Sequence, residues 1–360
     1  MLILIVYLYT TKGVQTLDFK FFDKEGLKLV ERLCNSSGVS GYEDETAELI
    51  IEYITPFCDV VKTDGVGNVL AFKKGRKEKG KRIMMCAHMD EVGFAIKSIN
   101  DDGTLDFDEV GMVSSVLPSK KVLVGSNKIS GVISARPVHL NKDKTKACSV
   151  DELVIDIGAE NKQQAQELDV LGQQACFDSE FYTFGDGLVK AKALDDRIGC
   201  AILCMLAKES YENDMYFAFT VGEELGGVGA SAATYAIKPD FCIVVEGTTA
   251  SDLDGTSDKD KVCKVRGGAV WPFMDGGTLY DNEMYTKIHS YAKENDIKIQ
   301  VKTKIAGGTD AARIQRSLDG VKTAVISLPC RYIHTSSSVA AIEDMESMYK
   351  LISGVCRILE

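Results

Sequence analysis

Four apolar runs of this chain each lead into residues that can bind a metal ion. The runs lead into His88, Glu223-Glu224 and Glu246, and the last run leads through residues 329–332 to His334. A further carboxylate pair, Asp195-Asp196, lies immediately before a helical stretch. The carboxyl ends of strands in an open α/β sheet share one edge, and sites form there. These side chains are therefore expected to converge, although they are far apart in the sequence.

The chemistry of this set favours a catalytic metal centre. Imidazole and carboxylate ligands without thiolate suit zinc, cobalt or manganese in an open site, whereas a structural zinc site would favour cysteine. Two ions about 3.5–4 Å apart need one bridging carboxylate and about two further ligands each. The inventory predicts a bridge from Asp195, with Glu224 and His334 on one ion and His88 and Glu246 on the other.

Two acidic residues beside these ligands are predicted to act without binding metal directly. Glu223 is left free, and a free carboxylate beside a bridging water is what a general base requires. Asp90 is predicted to hold the His88 imidazole in its metal-binding tautomer. Taken singly, such groups are often solvated loops or helix caps, but five of them together favour a site. His139 and His289 are interpreted as residues without a ligand role.

The elements that must position these residues are strands and helices in alternation. Continuous apolar runs indicate strands covered on both faces, and they lie at 68–73, 82–87, 215–221, 241–246 and 323–328. Helical periodicity occurs at 24–35, 43–57, 197–208 and 283–295. Together these patterns predict an α/β fold, a three-layer sandwich with a mixed central sheet.

Residues 100–185 have a different pattern, with short strand-like pieces crowded between turns and one helical stretch at 161–168. This pattern predicts a small β-rich domain inserted into the catalytic domain. The expected division is therefore 1–99 with 186–360 for the catalytic domain and 100–185 for the insertion.

The composition excludes several other classes of protein. The chain has 360 residues, is 45% hydrophobic and carries a net charge of -11, from 42 Lys and Arg against 53 Asp and Glu. An acidic globular chain is a poor candidate for binding nucleic acid or an anionic membrane, because both need positive charge. We expect neither as a partner.

The cysteines and the first residues bear on location. Eleven cysteines are scattered without a CxxC pair, which indicates reduced thiols in a cytoplasmic protein. Met1–Tyr9 is apolar but lacks a basic leader and a small-residue cleavage site. It is interpreted as a short leading strand or an early start codon rather than an export signal.

Eight motifs in sequence order carry a family resemblance. They are GVSGYEDE (38–45), DGVGNVL (64–70), AHMDEVGF (87–94), ALDDRIG (193–199), GEELGGVGA (222–230), EGTTASD (246–252), GGTDAARIQ (307–315) and PCRYIHT (329–335). The chain resembles, over about residues 24–360, the TET-type aminopeptidases, family forty-two of the cocatalytic zinc metallopeptidases. Relatives in this family are also labelled glutamyl aminopeptidase or endoglucanase.

The resemblance implies a hydrolase that removes N-terminal residues from peptides with a free N-terminus, using two divalent metal ions. It implies the same five ligands, with Glu223 as general base and Asp90 orienting His88. It also implies that segment 100–185 is a dimerisation domain and that dimers assemble into a homo-oligomer, often a dodecamer. Gly307-Gly308-Thr309-Asp310 either shapes the pocket beside the scissile bond or is a loop that needs two glycines.

The chain departs from the family pattern at three places. Glu246 stands where many members have Asp, and Gly222 stands where many have Gln. Residues 1–20 have no clear counterpart. Both carboxylates donate oxygen, so metal binding is expected to survive the first departure.

Other functions stay open at this point. A carboxypeptidase or amide deacetylase could use a similar two-metal scaffold. A glycoside hydrolase is less favoured, because that chemistry usually adds aromatic platforms and Trp271 is the single tryptophan. A metal-storing shell would have no use for the spare carboxylate of Glu223.

Overall fold

The computed structural model describes residues 24–135 and 148–359. The predictions for Met1–Tyr9 and His139 fall outside these residues.

The described residues contain eight α-helices and seventeen strands. The helices are α1 (Lys24–Asn35), α2 (Asp44–Ile54), α3 (Lys162–Glu167), α4 (Leu194–Leu206), α5 (Val228–Ile237), α6 (Asn282–Glu294), α7 (Ala311–Gln315) and α8 (Ile342–Ile358). Strands of the first half are β1 (Val60–Thr63), β2 (Val69–Lys73), β3 (Arg82–His88), β4 (Gly93–Ile99), β5 (Leu105–Val110), β6 (Lys121–Val124), β7 (Ile129–Ala135) and β8 (Leu153–Asp156). The remaining strands are β9 (Gln174–Phe177), β10 (Tyr182–Phe184), β11 (Leu188–Ala191), β12 (Asp214–Thr220), β13 (Phe241–Thr249), β14 (Ala269–Val270), β15 (Ile299–Gln300), β16 (Lys322–Cys330) and β17 (Ser338–Ala341).

An eight-stranded mixed sheet forms the centre of the molecule, in the order β1-β2-β12-β3-β13-β16-β14-β15. Its four middle strands, β12, β3, β13 and β16, run parallel to one another. Antiparallel strands flank them on both sides. The predicted mixed central sheet is confirmed.

Helices cover both faces of this sheet, and alternate residues of one strand show it. On β3, Ile83, Met85 and Ala87 join the apolar core that also contains residues of α1, α2, α4 and α8. Met84 and Cys86 point the other way, into a smaller core shared with α5 and α7. Because both faces are covered, the strand is apolar throughout rather than alternating. This is the three-layer arrangement that the sequence predicts.

Strands β4-β5-β8-β7-β6-β9 close into a separate barrel between residues 93 and 177. The barrel has its own core, in which the Phe94 ring contacts the rings of Phe107 and Phe177 edge-on at centroid distances of 5.1 and 5.3 Å. Each fully buried aromatic side chain of this kind contributes about 1.5–3 kcal/mol by leaving water. Strand β4 precedes the expected boundary at residue 100, and β10 pairs with β11 outside the barrel.

All eleven cysteines lie among the described residues, where they are free and nine of them are buried. No helix in the described part of the chain has both the length and the apolar character needed to cross a membrane.

Candidate metal centre

The parallel strands bring the predicted ligands to one edge of the sheet. His88 is the last residue of β3, and β12 ends at Thr220, just before the turn with Glu223 and Glu224. Glu246 lies inside β13 rather than at its end, because pairing with β16 continues for three residues beyond it. The expectation of a strand ending there was wrong, yet the ligand still lies at the same edge.

The first group of ligand atoms comes from His88, Asp195 and Glu246. His88 Nε2 lies 3.2 Å from Glu246 Oε1 and 3.4 Å from Asp195 Oδ1. The ligand atoms of all three lie within 4.8 Å of one another. Asp195 and the next residue have non-helical backbone angles, so the regular helix starts after them and leaves Asp195 at the site.

The second group comes from Asp195, Glu224 and His334. His334 Nε2 lies 3.3 Å from Asp195 Oδ2 and 3.4 Å from Glu224 Oε1. These atoms also lie within 4.8 Å of one another. Asp195 thus turns one oxygen toward each group, which is the arrangement of a bridging carboxylate.

The polar atoms of these two groups fit metal cations. Glu224 Oε1 and Glu246 Oε2 are buried and have no hydrogen-bond partner in the structure. Buried carboxylate oxygens without a donor are costly, and a cation would compensate them. The donor set of imidazole nitrogen and carboxylate oxygen suits zinc, cobalt or manganese.

Burial and neighbouring charges together shift the pKa values of the site residues. It raises the pKa of Glu223 to about 8 and that of Glu224 to about 7, with nearby carboxylates adding to the effect. Burial opposes the charge of His334, but hydrogen bonding to Asp195 and the charge of Glu224 raise its pKa to about 9. For Asp195, burial is outweighed by the two histidines, which hold its pKa well below the ordinary value.

Asp90 contacts the ring nitrogen of His88 that faces away from the ligand group. His88 Nδ1 lies 3.1 Å from the Asp90 backbone oxygen and 3.3 Å from Asp90 Oδ1. Both residues are buried. This geometry leaves Nε2 free to face Asp195 and Glu246.

The loop Gly307–Asp310 lies beside the end of β12. Asp310 is buried and accepts a hydrogen bond of 2.6 Å from the Thr220 hydroxyl. Gly307 has a φ of +70°, a conformation that favours glycine, whereas a side chain at Gly308 would meet no atom within 4 Å. Backbone geometry therefore accounts for one of the two glycines.

Two other glycines of the site were not assigned from the sequence. A Cβ added to Gly247 would lie 2.7 Å from Asp195 Oδ1, and one added to Gly111 would lie 2.7 Å from Glu224 Oε2. The position of Gly247 directly after Glu246 was a usable signal. Gly111 belongs to the segment that follows barrel strand β5, and nothing in its local sequence points to Glu224.

Several solved structures with this fold are aminopeptidases or other peptidases. An aminopeptidase from the archaeon Desulfurococcus kamchatkensis is 30% identical and superposes with a TM-score of 0.89, over 93% of this chain and 95% of that chain. The TET1 peptidase of Pyrococcus horikoshii, which can assemble into a tetrahedron or a large octahedral shell, is 32% identical with a TM-score of 0.82, over 93% and 100% of the two chains. A putative aminopeptidase of Acetivibrio thermocellus is 34% identical over 93% of this chain and 99% of its own length.

These likenesses define the class as peptidase hydrolases that use metal. A sequence profile of the M42 glutamyl aminopeptidase family matches residues 67–351, and the chain belongs to that family. The family predicted from the eight motifs is thereby confirmed.

Proposed function

We propose that this metallo-aminopeptidase removes N-terminal residues from peptides with a dinuclear metal site. The five ligands would be His88, Asp195, Glu224, Glu246 and His334. The observation that carries the proposal is the pair of ligand groups that share Asp195, with one of its oxygens turned toward each group.

Two divalent ions, zinc, cobalt or manganese, would polarise the scissile carbonyl and lower the pKa of the attacking water. Asp195 holds the two groups together, and Asp90 fixes the orientation of His88 through its Nδ1 nitrogen. The burial of His88 and Glu246 excludes bulk water from one side of the site.

Glu223 is proposed as the general base and acid. Its carboxylate accepts a proton from the attacking water as the new C–O bond forms. The same proton then passes to the leaving amine nitrogen as the C–N bond breaks, so that Glu223 ends the cycle as it began. Burial raises the pKa of Glu223 to about 8 without metal, and cations beside it would lower that pKa toward neutral pH, where a carboxyl can both accept and release a proton.

The substrate would be a peptide with a free N-terminus. We assign Gly307, Gly308, Thr309 and Asp310 to the wall of the pocket, because Asp310 adjoins Thr220 at the end of the strand that leads to Glu223. The negative charge of Asp310 also contributes to the raised pKa of Glu223.

We further propose that the insertion, residues 100–185, pairs two chains and that dimers build a larger homo-oligomer of the dodecamer type. The closed barrel with its own core supports an independent unit of this kind. The assembly of the Pyrococcus horikoshii peptidase into a shell is a precedent. Eleven free cysteines favour a reducing, cytoplasmic location.

A panel of aminoacyl-anilides tests the function. Metal-free protein is assayed with added zinc, cobalt or manganese, and the metal content is measured by elemental analysis. We expect activity only with metal, near two equivalents per chain, and only on substrates with a free amine. The matched control is the N-acetylated form of each substrate.

Release of acetate from the acetylated substrates would instead favour an amide deacetylase. Release of C-terminal residues from blocked peptides would favour a carboxypeptidase.

A further inference from the structure

The turn that carries Glu223 and Glu224 has little apolar packing of its own. Leu225 is 60% exposed and Val228 is 58% exposed. Inside the turn, the N–H groups of Gly226 and Gly227 donate to the backbone oxygens of Glu223 and Gly222. These local bonds shape the turn but do not fix its position relative to the sheet.

Side chains from other segments supply that fixation. Four consecutive backbone N–H groups, those of residues 221–224, donate to oxygens of three side chains that lie far from the turn in the sequence. The bonds are Val221 to Asn68 Oδ1 at 3.0 Å, Gly222 to Glu43 Oε1 at 3.1 Å, Glu223 to Asp90 Oδ1 at 3.0 Å and Glu224 to Asp90 Oδ2 at 3.0 Å.

The accepting side chains are buried and are held in turn by further hydrogen bonds. Asn68 is fully buried, and its Nδ2 donates to the Gly229 backbone oxygen at 2.9 Å. Asn68 therefore bonds to the turn at both ends, at Val221 and at Gly229. The Ser40 hydroxyl donates to Asp90 Oδ2 at 2.7 Å. Glu43 lies at the residue before α2 and is also buried.

Two of the motifs gain a purpose from this arrangement. Segments 38–45 and 64–70 contain none of the proposed metal ligands, yet they supply Ser40, Glu43 and Asn68. Charged and amide acceptors on backbone N–H groups make strong, directional bonds, and buried acceptors cannot exchange with water.

We propose that Ser40, Glu43 and Asn68 are positioning residues, which hold the Glu223-Glu224 turn at the distance and angle that the reaction needs. This inference rests on the proposed function of that turn. Asp90 then orients the backbone of the turn as well as the His88 ring. Ser40, Glu43 and Asn68 would affect the reaction only through the residues that they hold in place.

Glu43→Ala and Asn68→Ala each leave a buried N–H of the turn without its acceptor. We expect kcat to fall about 10–100-fold with KM unchanged. Mutation of residues that hold metal ligands in place typically lowers activity or metal affinity by this factor. Glu43→Gln is expected to restore kcat, because the amide oxygen of Gln accepts the Gly222 N–H. Ser40→Ala tests the same idea through a milder change, should the first two variants fail to fold.

Tyr42→Phe is the matched control. Tyr42 lies in the same loop, but its hydroxyl donates to the Gly172 backbone oxygen in the barrel and not to the turn. We expect this variant to keep wild-type kcat. The midpoint of thermal unfolding is measured for every variant, so that loss of stability is separated from loss of turnover.

A second readout does not depend on turnover. Competition with a fluorescent chelator measures zinc affinity, and the Glu43 and Asn68 variants are expected to bind zinc about 10–100-fold more weakly because Glu224 is displaced. Unchanged kcat and unchanged zinc affinity, with only a lower unfolding midpoint, would overturn the proposal. So would a Glu43→Gln variant as impaired as Glu43→Ala. Wild-type protein that cleaves no free-amine substrate would refute the proposed function instead, and the chelator measurement would still test the turn.

Discussion

The central sheet and the barrel differ in which faces of their strands are buried. Strand β3 of the sheet is buried from Ile83 to His88 on both faces, whereas barrel strand β7 alternates between buried and exposed residues. The sheet places four parallel strand ends at one edge, and all five proposed ligands lie there. Among the described residues, the barrel strands contribute no proposed ligand, and Gly111, directly after β5, lies beside Glu224. The proposed ligands therefore lie where the parallel strands end together. The closed antiparallel barrel instead buries its residues in a core of its own.

The largest effect on turnover is expected at the residue that joins the two ligand groups of the sheet. Asp195→Ala should lose both metal ions and all measurable activity, because both groups lose their shared oxygen donor. Elemental analysis and the anilide assay check this. Asp258→Ala, at a 94% exposed side chain, is the control. Two retained metal equivalents in the Asp195 variant would disprove the bridge.

A smaller loss of turnover is expected when the protein keeps its metal ions but lacks the Glu223 carboxylate. Glu223→Gln should retain metal and lower kcat by about 10²–10⁴-fold, the usual worth of general acid–base catalysis. Near-normal turnover in this variant would remove Glu223 from the mechanism.

The position of Gly111 beside Glu224 gives a third test. Gly111→Ala places a methyl group against Glu224 Oε2, and we expect activity to fall about 10–100-fold. Gly158→Ala is a matched control, because both glycines have similar positive φ values, +75° and +77°, but no atom lies within 4 Å of an added Cβ at Gly158. Wild-type activity in both variants would contradict the role of the contact with Glu224, and an equal loss in both would assign the effect to backbone strain.

Metal removal should make the stability of the sheet edge depend on pH. Burial raises the pKa of Glu223 to about 8 and of Glu224 to about 7, from an ordinary 4.5, so folding favours their protonated forms. That stabilisation is complete below pH 4.5 and is lost as the pH rises through 7 and 8. His334, with a pKa near 9, acts in the same direction, since folding favours the imidazolium.

The unfolding midpoint of EDTA-treated protein should therefore fall between pH 6 and pH 9, while metal-loaded protein changes less. Calorimetry at a series of pH values measures both. A midpoint of the metal-free protein that rises over this range would contradict the assignment.

The smallest effect on turnover is expected from a cavity in the barrel. Phe107→Ala should destabilise folding by about 3–5 kcal/mol through loss of buried contacts. Activity per folded molecule should stay unchanged, because Phe107 packs in the barrel core and not among the proposed ligands. Denaturation curves and active-site-normalised assays separate the two quantities, and a reduced kcat would show that barrel packing reaches the site.

The sequence allowed prediction of the sheet and of the residues that cluster at its edge, because both depend on local patterns. A buried parallel strand is a short apolar run, and the polar residues after it mark the functional edge, so His88 and the Glu223-Glu224 pair could be found without coordinates. Closure of the barrel and the contacts of Gly111 and Asn68 could not be found in this way. Asn68 meets Gly229 across 161 residues of chain, and only the folded register brings them together.

The two ligand groups differ in how far solvent reaches them. The His334 side chain is 38% exposed, whereas those of His88 and Glu246 are 1% and 6% exposed. Ions held by the proposed ligands would then exchange at unequal rates, the one beside His334 first. A brief wash with chelator would leave a half-loaded enzyme, and a different metal could be introduced at the open position alone.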